Sequence, residues 1–236
     1  MTNEWMYAIL FFTVILCGCS VLFFQINGKV LKLLLSFSGA YLLGVTVLHL
    51  VPEIYCVATK KTGVFILAGF LLQILIEFFS EGIEHGHIHV HKREESGFPL
   101  TILVALSFHS FVEGMPLAGK LDAVKQTLAT GIILHNIPIA IALTSMLIQS
   151  GQKKMNIIFW LTVFAFMTPL GAFAGNVLES MAGFITKYSN YLMATVVGIF
   201  LHVSTTILFE SSEHHRFNLL KLAVMLAGMG LAVFFI

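Results

Sequence analysis

Apolar residues in this chain fall in runs of about twenty, broken at short polar or turn-rich points, rather than in the narrow stripes of a soluble amphipathic helix. Breaking the sequence there gives about eight spans, with approximate limits 4–24, 31–53, 62–84, 98–119, 124–149, 156–180, 189–210 and 216–236. An α-helix rises about 1.5 Å per residue, so each span can cross a hydrocarbon core of roughly 30 Å with some tilt. Lipid cannot satisfy unpaired backbone groups, and the runs lack the strict alternation of barrel strands. The pattern predicts an all-α membrane protein, one transmembrane domain over residues 1–236.

Composition supports that prediction. The chain is 58% hydrophobic and 11% charged, against about 25% charged for soluble domains, and its mean hydropathy is +0.93. A net charge of +1 and the absence of a basic tract give no footing for nucleic acid. Cys17, Cys19 and Cys56 form no CxxC pair and read as small apolar membrane residues. The N-terminal stretch carries Glu4, lacks a basic start and runs too far to be a cleaved signal, so it is taken as the first span. With that terminus outside, eight Lys and Arg fall on the inner side and five on the outer, which favours both termini being extracytoplasmic.

Ionisable residues within spans are rare and face the bundle interior or a water path. Here they cluster. Span two carries His49 in "HLVPE"; span four carries His109, Ser110 and Glu113; span five carries His135 and Asn136 in "HNIPIA"; span seven carries His202, Thr206 and Glu210. His109 and Glu113 stand at i and i+4, on one helix face. An imidazole nitrogen and a carboxylate oxygen at that spacing can grip one ion, a donor mixture that suits Zn²⁺, Fe²⁺ or Mn²⁺. The short connection near 119–124 makes spans four and five antiparallel neighbours, which offers His135 as a third ligand with Asn136 beside it. His49 supplies a fourth candidate and Ser110 a weak oxygen. Pro138 cannot bond the Leu134 carbonyl, so a bend and a freed carbonyl are expected there, with a further irregularity at Pro116. Purely structural hydrogen bonding between helices explains one such histidine more easily than four.

Two further features point to a route for the ion. Gln73, Glu77, Glu81 and His85 recur every four residues, a polar stripe along span three that leads to the only long polar connection, residues 84–97. That loop holds His85, His87, His89 and His91 in alternation, either a weak exchangeable metal tract or a solvated loop. Together with His202 these residues form a candidate exit path. The reading is a carrier of divalent cations, not an enzyme. It needs no catalytic cofactor and takes Zn²⁺ or Fe²⁺ as substrate. The alternatives are an intramembrane zinc hydrolase with Glu113 as general base, against which no HExxH is present, and a bis-histidine haem protein.

The fourth-span "HSFVEGMPLAG", the fifth-span "HNIPIA" and the second-span "HLVPE" resemble the motifs of the ZIP family of divalent metal transporters. The similarity in pattern and span count covers essentially the whole chain. The resemblance implies eight helices in a 3+2+3 arrangement, with inverted repeats around helices four and five. It also implies transport of zinc, iron or related ions (manganese, cadmium) toward the cytosol, across a membrane expected to be the plasma membrane. His109, Glu113 and His135 match the family's primary ligands, His49 its second-span contributor, and Ser110 and Asn136 an adjacent second site. Ile139 stands where many members carry Glu or His, so one good site is expected and a second weak or absent. The expected partners are divalent metal ions, the lipid bilayer and a second copy of the chain in a homodimer.

Overall fold

The computed structural model describes residues 3–24, 26–56, 61–83, 99–119, 122–180, 184–210 and 219–234. Among these there are eight helical rods and no strand: α1 (Asn3–Ser20), α2 (Gly28–Cys56), α3 (Thr62–Ser80), α4 (Leu100–Gly114, continued by a 3₁₀ turn over Met115–Leu117), α5 (Ala123–Gln149), α6 (Lys154–Ser180), α7 (Phe184–Glu210) and α8 (Leu219–Phe234). Rods α2 to α7 are each long and apolar enough to cross a membrane, while α1 and α8 are shorter apolar helices. The chain is an integral, multi-pass, all-α membrane protein.

Two irregularities have a common cause in proline, one in the second rod and one, as expected, at Pro116. The second rod does not stop near residue 53 but continues to Cys56, through a π turn over Thr46–Leu50. Pro52 has no N–H to give and its ring would crowd the carbonyl one turn back; widening the preceding turn relieves both problems. The Val51 N–H accordingly bonds the Thr46 carbonyl, five residues away. Pro116 likewise ends the α-helical part of α4 in the 3₁₀ turn. At Pro138, by contrast, α5 runs on as one helix.

The packing has an internal symmetry. The most extensive contacts are α3 with α7 and α2 with α8, then α4 with α6 and α1 with α5. Exchanging α1, α2, α3 with α6, α7, α8, and α4 with α5, turns each of those pairings into another of them. This is the relation expected of inverted repeats around a central pair. Two four-helix halves follow, α3–α4–α6–α7 and α1–α2–α5–α8, and they meet where α1 touches α6 and α2 touches α7. Lipid-like surroundings give helices no hydrophobic reason to associate, so small residues let backbones approach. Gly198 of α7 lies against the Ile66 carbonyl of α3, and a side chain there would have no room.

Hydrogen bonds hold the described ends of the α4–α5 connection. Asp122 caps α5 by accepting from the Lys125 N–H at 2.8 Å, the stabilising role expected of an acidic N-cap. The Lys125 ammonium donates to the Ala118 carbonyl. Gly119, at φ 80°, donates its N–H to Asn176 Oδ1 at 2.7 Å, and Asn176 Nδ2 donates to the Tyr7 hydroxyl at 2.8 Å. One asparagine on α6 thus ties the connection to both α6 and α1.

Candidate metal centre

Along Leu100–Gly114 the backbone of α4 is not closely packed on α5; it leans on α6 and α3, while α5 leans on α1 and α2. Gly114 and Gly171 make the α4–α6 approach possible, since a Cβ on either would meet the carbonyl of Thr168 or of Phe111. The space left between α4 and α5 is bridged by side chains from the seam of the two halves. His109 and His135 face each other there with ring centroids 5.9 Å apart and planes at 74°.

His109, Glu113 and His135 are fully buried, and one donor atom from each lies within 4.8 Å of the other two. Among the described residues this is the only such group of His, Cys, Asp or Glu. Ligand atoms of one tetrahedral zinc, at about 2.1 Å from the metal, stand about 3.4 Å apart. Closing the triad on an ion therefore takes side-chain rotation of little more than about 1 Å, not a new fold. His109 Nε2 and Glu113 Oε1 are already 2.8 Å apart, so an ion entering there replaces that contact. An isolated carboxylate at the bilayer centre costs about 3 kcal/mol or more; Glu113 is buried with an imidazole against one oxygen, and its Oε2 has no hydrogen-bond partner.

The surrounding polar atoms are also placed. His109 Nδ1 lies 2.8 Å from Gln73 Oε1 of α3. Asn136 Nδ2 donates to Thr168 Oγ1 of α6 at 3.3 Å, which leaves Asn136 Oδ1 without a partner, as is Ser110 Oγ. Ile139 is fully buried one turn beyond His135 and offers no oxygen. His49 stands apart from the triad: it belongs to the π turn of α2, and its Nε2 lies 3.4 Å from the Ala232 carbonyl of α8.

The polar stripe of span three divides. Gln73 is buried beside His109, and Glu77 reaches His202 of α7, with Oε2 3.4 Å from Nε2. Glu81 is exposed and closes α3 in the left-handed conformation, φ 54°, so the helical spacing stops before it. His85, His87, His89 and His91 lie outside the described residues. Sequence reasoning did not single out Thr168, whose signal is a hydroxyl beside Pro169 in "MTPLG".

Buried nitrogen and oxygen donors drawn from two membrane-crossing helices make this, first, a membrane protein with a cluster of candidate metal ligands inside it. Residues 98–236, more than half of the chain, match the family model described as ZIP Zinc transporter, and the chain belongs to that family. It is 29% identical over 161 residues to zinc transporter ZIP1 of Danio rerio, covering 64% of this chain and 51% of that protein. Against zinc transporter ZIP1 of Homo sapiens it is 27% identical over 161 residues, 64% of this chain and 50% of that protein. Against zinc transporter zipt-7.1 of Caenorhabditis briggsae it is 23% identical over 282 residues, 89% of this chain and 70% of that protein. The chain spans about half the length of the ZIP1 relatives it matches. None of these relatives supports the hydrolase alternative.

Proposed function

We propose that this chain carries divalent metal ions, zinc foremost and iron, manganese or cadmium with it, across a membrane toward the cytosol. The observation that carries the reading is the buried His109–Glu113–His135 triad at the seam between two symmetric halves. Two imidazoles and one carboxylate make a set for a borderline cation, and water or the oxygens of Asn136 and Ser110 complete its coordination. Ile139 removes the acidic group that a strong second ion would need, so one ion at a time is bound tightly. The site changes sides when one group of helices shifts against the other, the general behaviour of midplane sites between inverted repeats.

On leaving the triad the ion meets Glu77 and His202, then Glu81 and the histidines of 84–97 (His85, His87, His89 and His91). His49, near the opposite end of its helix pair, belongs to the approach. The whole of 1–236 works as one domain, with both termini extracytoplasmic, in the plasma membrane and as a homodimer. No catalytic cofactor is involved; the metal is the substrate.

Uptake of ⁶⁵Zn²⁺ into proteoliposomes tests this. His109→Ala, Glu113→Ala and His135→Ala each lower the initial rate at least about a hundredfold, more than the loss typical of groups that only support a ligand. Parent rates in these variants remove the assignment.

A further inference from the structure

Gln73 is an amide in the middle of a helix that is otherwise apolar on its approach to the site, and it is fully buried. Its Oε1 lies 2.8 Å from His109 Nδ1, while the other ring nitrogen, Nε2, is the one that meets Glu113. A neutral imidazole has one N–H and one lone pair, and which nitrogen can hold a metal is decided by the hydrogen bond at the other. An amide oxygen only accepts, so it holds the proton on Nδ1 and turns the lone pair of Nε2 toward Glu113 and His135.

We propose that Gln73 is a positioning residue that sets the tautomer of His109 and keeps the grip on the ion light enough for release. The inference rests on the metal-carrying reading above. Metal-binding histidines are often oriented by a carboxylate, which raises the basicity of the ring and tightens the bond to the metal. Gln73 gives the same orientation with no charge. A carrier needs an ion that is held specifically yet departs, and a neutral acceptor serves that need where a carboxylate opposes it. Gln73 also comes from α3, a helix that packs chiefly on α7, so the ligand on α4 is oriented from outside the central pair.

The proposal separates from a merely space-filling role by two substitutions of similar size. Gln73→Met removes the acceptor and raises the Kd for Zn²⁺ by about 10- to 100-fold. Gln73→Glu restores the acceptor as a charge: its Kd is at or below that of the parent, while the maximal uptake rate falls. Zinc binding is measured on purified full-length protein by titration with Zn²⁺ alone, and uptake in proteoliposomes. Ring-labelled ¹⁵N-histidine NMR of the zinc-loaded parent requires no variant to fold: His109 binds zinc through Nε2 with its proton on Nδ1.

Zinc on Nδ1, or a Gln73→Met protein that binds Zn²⁺ as the parent does, overturns the role of Gln73. Equal loss of affinity in Gln73→Met and Gln73→Glu overturns it too, because volume alone then matters. His109→Ala distinguishes the levels of failure. If it transports zinc normally the metal site itself is misassigned, whereas if it is dead and Gln73→Met is normal, only the present inference falls.

Discussion

Two histidines occupy corresponding places in the halves of this molecule and meet different chemistry. His49 lies towards the C-terminal end of α2 and faces α8; His202 lies towards the C-terminal end of α7 and faces α3. The exchange that relates the halves carries α2 to α7 and α8 to α3. On one side the imidazole finds, among the described residues, the Ala232 carbonyl at 3.4 Å; on the other it finds the Glu77 carboxylate, at the same distance. Successive crossing helices run in opposite directions, so the two places lie toward opposite faces of the membrane. The shared fold supplies a histidine near each face; among the described residues His202 has a carboxylate in direct contact, Glu77, whereas Glu53 lies one turn along α2 from His49. On the proposed route, a cation leaving the triad is drawn toward the α3–α7 side, where Glu77 keeps 24% of its side-chain surface exposed.

The most severe way to break this asymmetry is to reverse its sign. Glu77→Lys places a positive charge beside the path of a divalent ion. At a separation of about 5 Å and an effective dielectric of about 20, the repulsion amounts to several kcal/mol. Zinc uptake falls at least about a hundredfold, since each 1.4 kcal/mol is about a factor of ten. Equilibrium Zn²⁺ binding to the triad in detergent, measured alongside, changes far less. A Glu77→Lys protein that transports at the parent rate removes the α3–α7 route.

A milder change keeps the charge and removes the ring. His202→Ala lowers the maximal uptake rate about tenfold and leaves the zinc concentration at half-maximal rate nearly unchanged, because the triad that binds the ion is intact. The ring also packs edge-on against Phe70, centroids 4.8 Å apart, so His202→Phe serves as the control that fills the space. If His202→Phe restores transport, the histidine is packing and the path lies elsewhere.

How much of this was legible in the sequence depended on what periodicity can and cannot specify. The eight helical rods followed from run length, because a membrane's thickness sets helix length directly; among the described residues six of them reach crossing length. The pairing of His109 with Glu113 followed from the i, i+4 spacing within one helix, and His135 from the short α4–α5 connection. What periodicity does not give is the neighbour a face meets. Gln73 was readable as one point of a polar stripe, but that it bonds His109 depends on how α3 lies on α4. His49 reads like the other histidines in sequence; the π turn forced by Pro52 is what rotates that part of α2, and its ring sits at α8. The stripe from Gln73 reaches Glu81 only if the helix continues, and the left-handed residue at 81 ends it.

Gly198 and Gly44 press against different kinds of atom, although α8 also meets α2 backbone where Gly228 faces the Phe37 carbonyl. In the α3–α7 pair, Gly198 abuts the backbone carbonyl of Ile66. In the α2–α8 pair, a Cβ on Gly44 would come within 2.6 Å of the Cβ of Ala232. Backbone in a packed helix cannot retreat without moving the helix, and a methyl group at the interface has slightly more freedom. Overpacking costs typically about 1–3 kcal/mol. Gly198→Ala lies at or above the upper end of that range and Gly44→Ala nearer the lower, read as the order of their melting temperatures in one detergent. The reverse order shows that the α2–α8 contact is the more rigid one.

The smallest effect is expected from His49, whose contact is with a backbone carbonyl rather than a carboxylate. His49 is half-buried and its contact with Ala232 is long for a hydrogen bond, so its loss is worth at most about 1 kcal/mol. His49→Ala therefore changes the zinc uptake rate by no more than about fivefold, and does so at low zinc, where delivery to the triad limits the rate. At saturating zinc the variant matches the parent. A loss as deep as that of His202→Ala, persisting at saturation, makes the two sides functionally equivalent. In that event the carboxylate at Glu77 is not what gives the path its direction, and the α2–α8 side enters the transport cycle as fully as its counterpart.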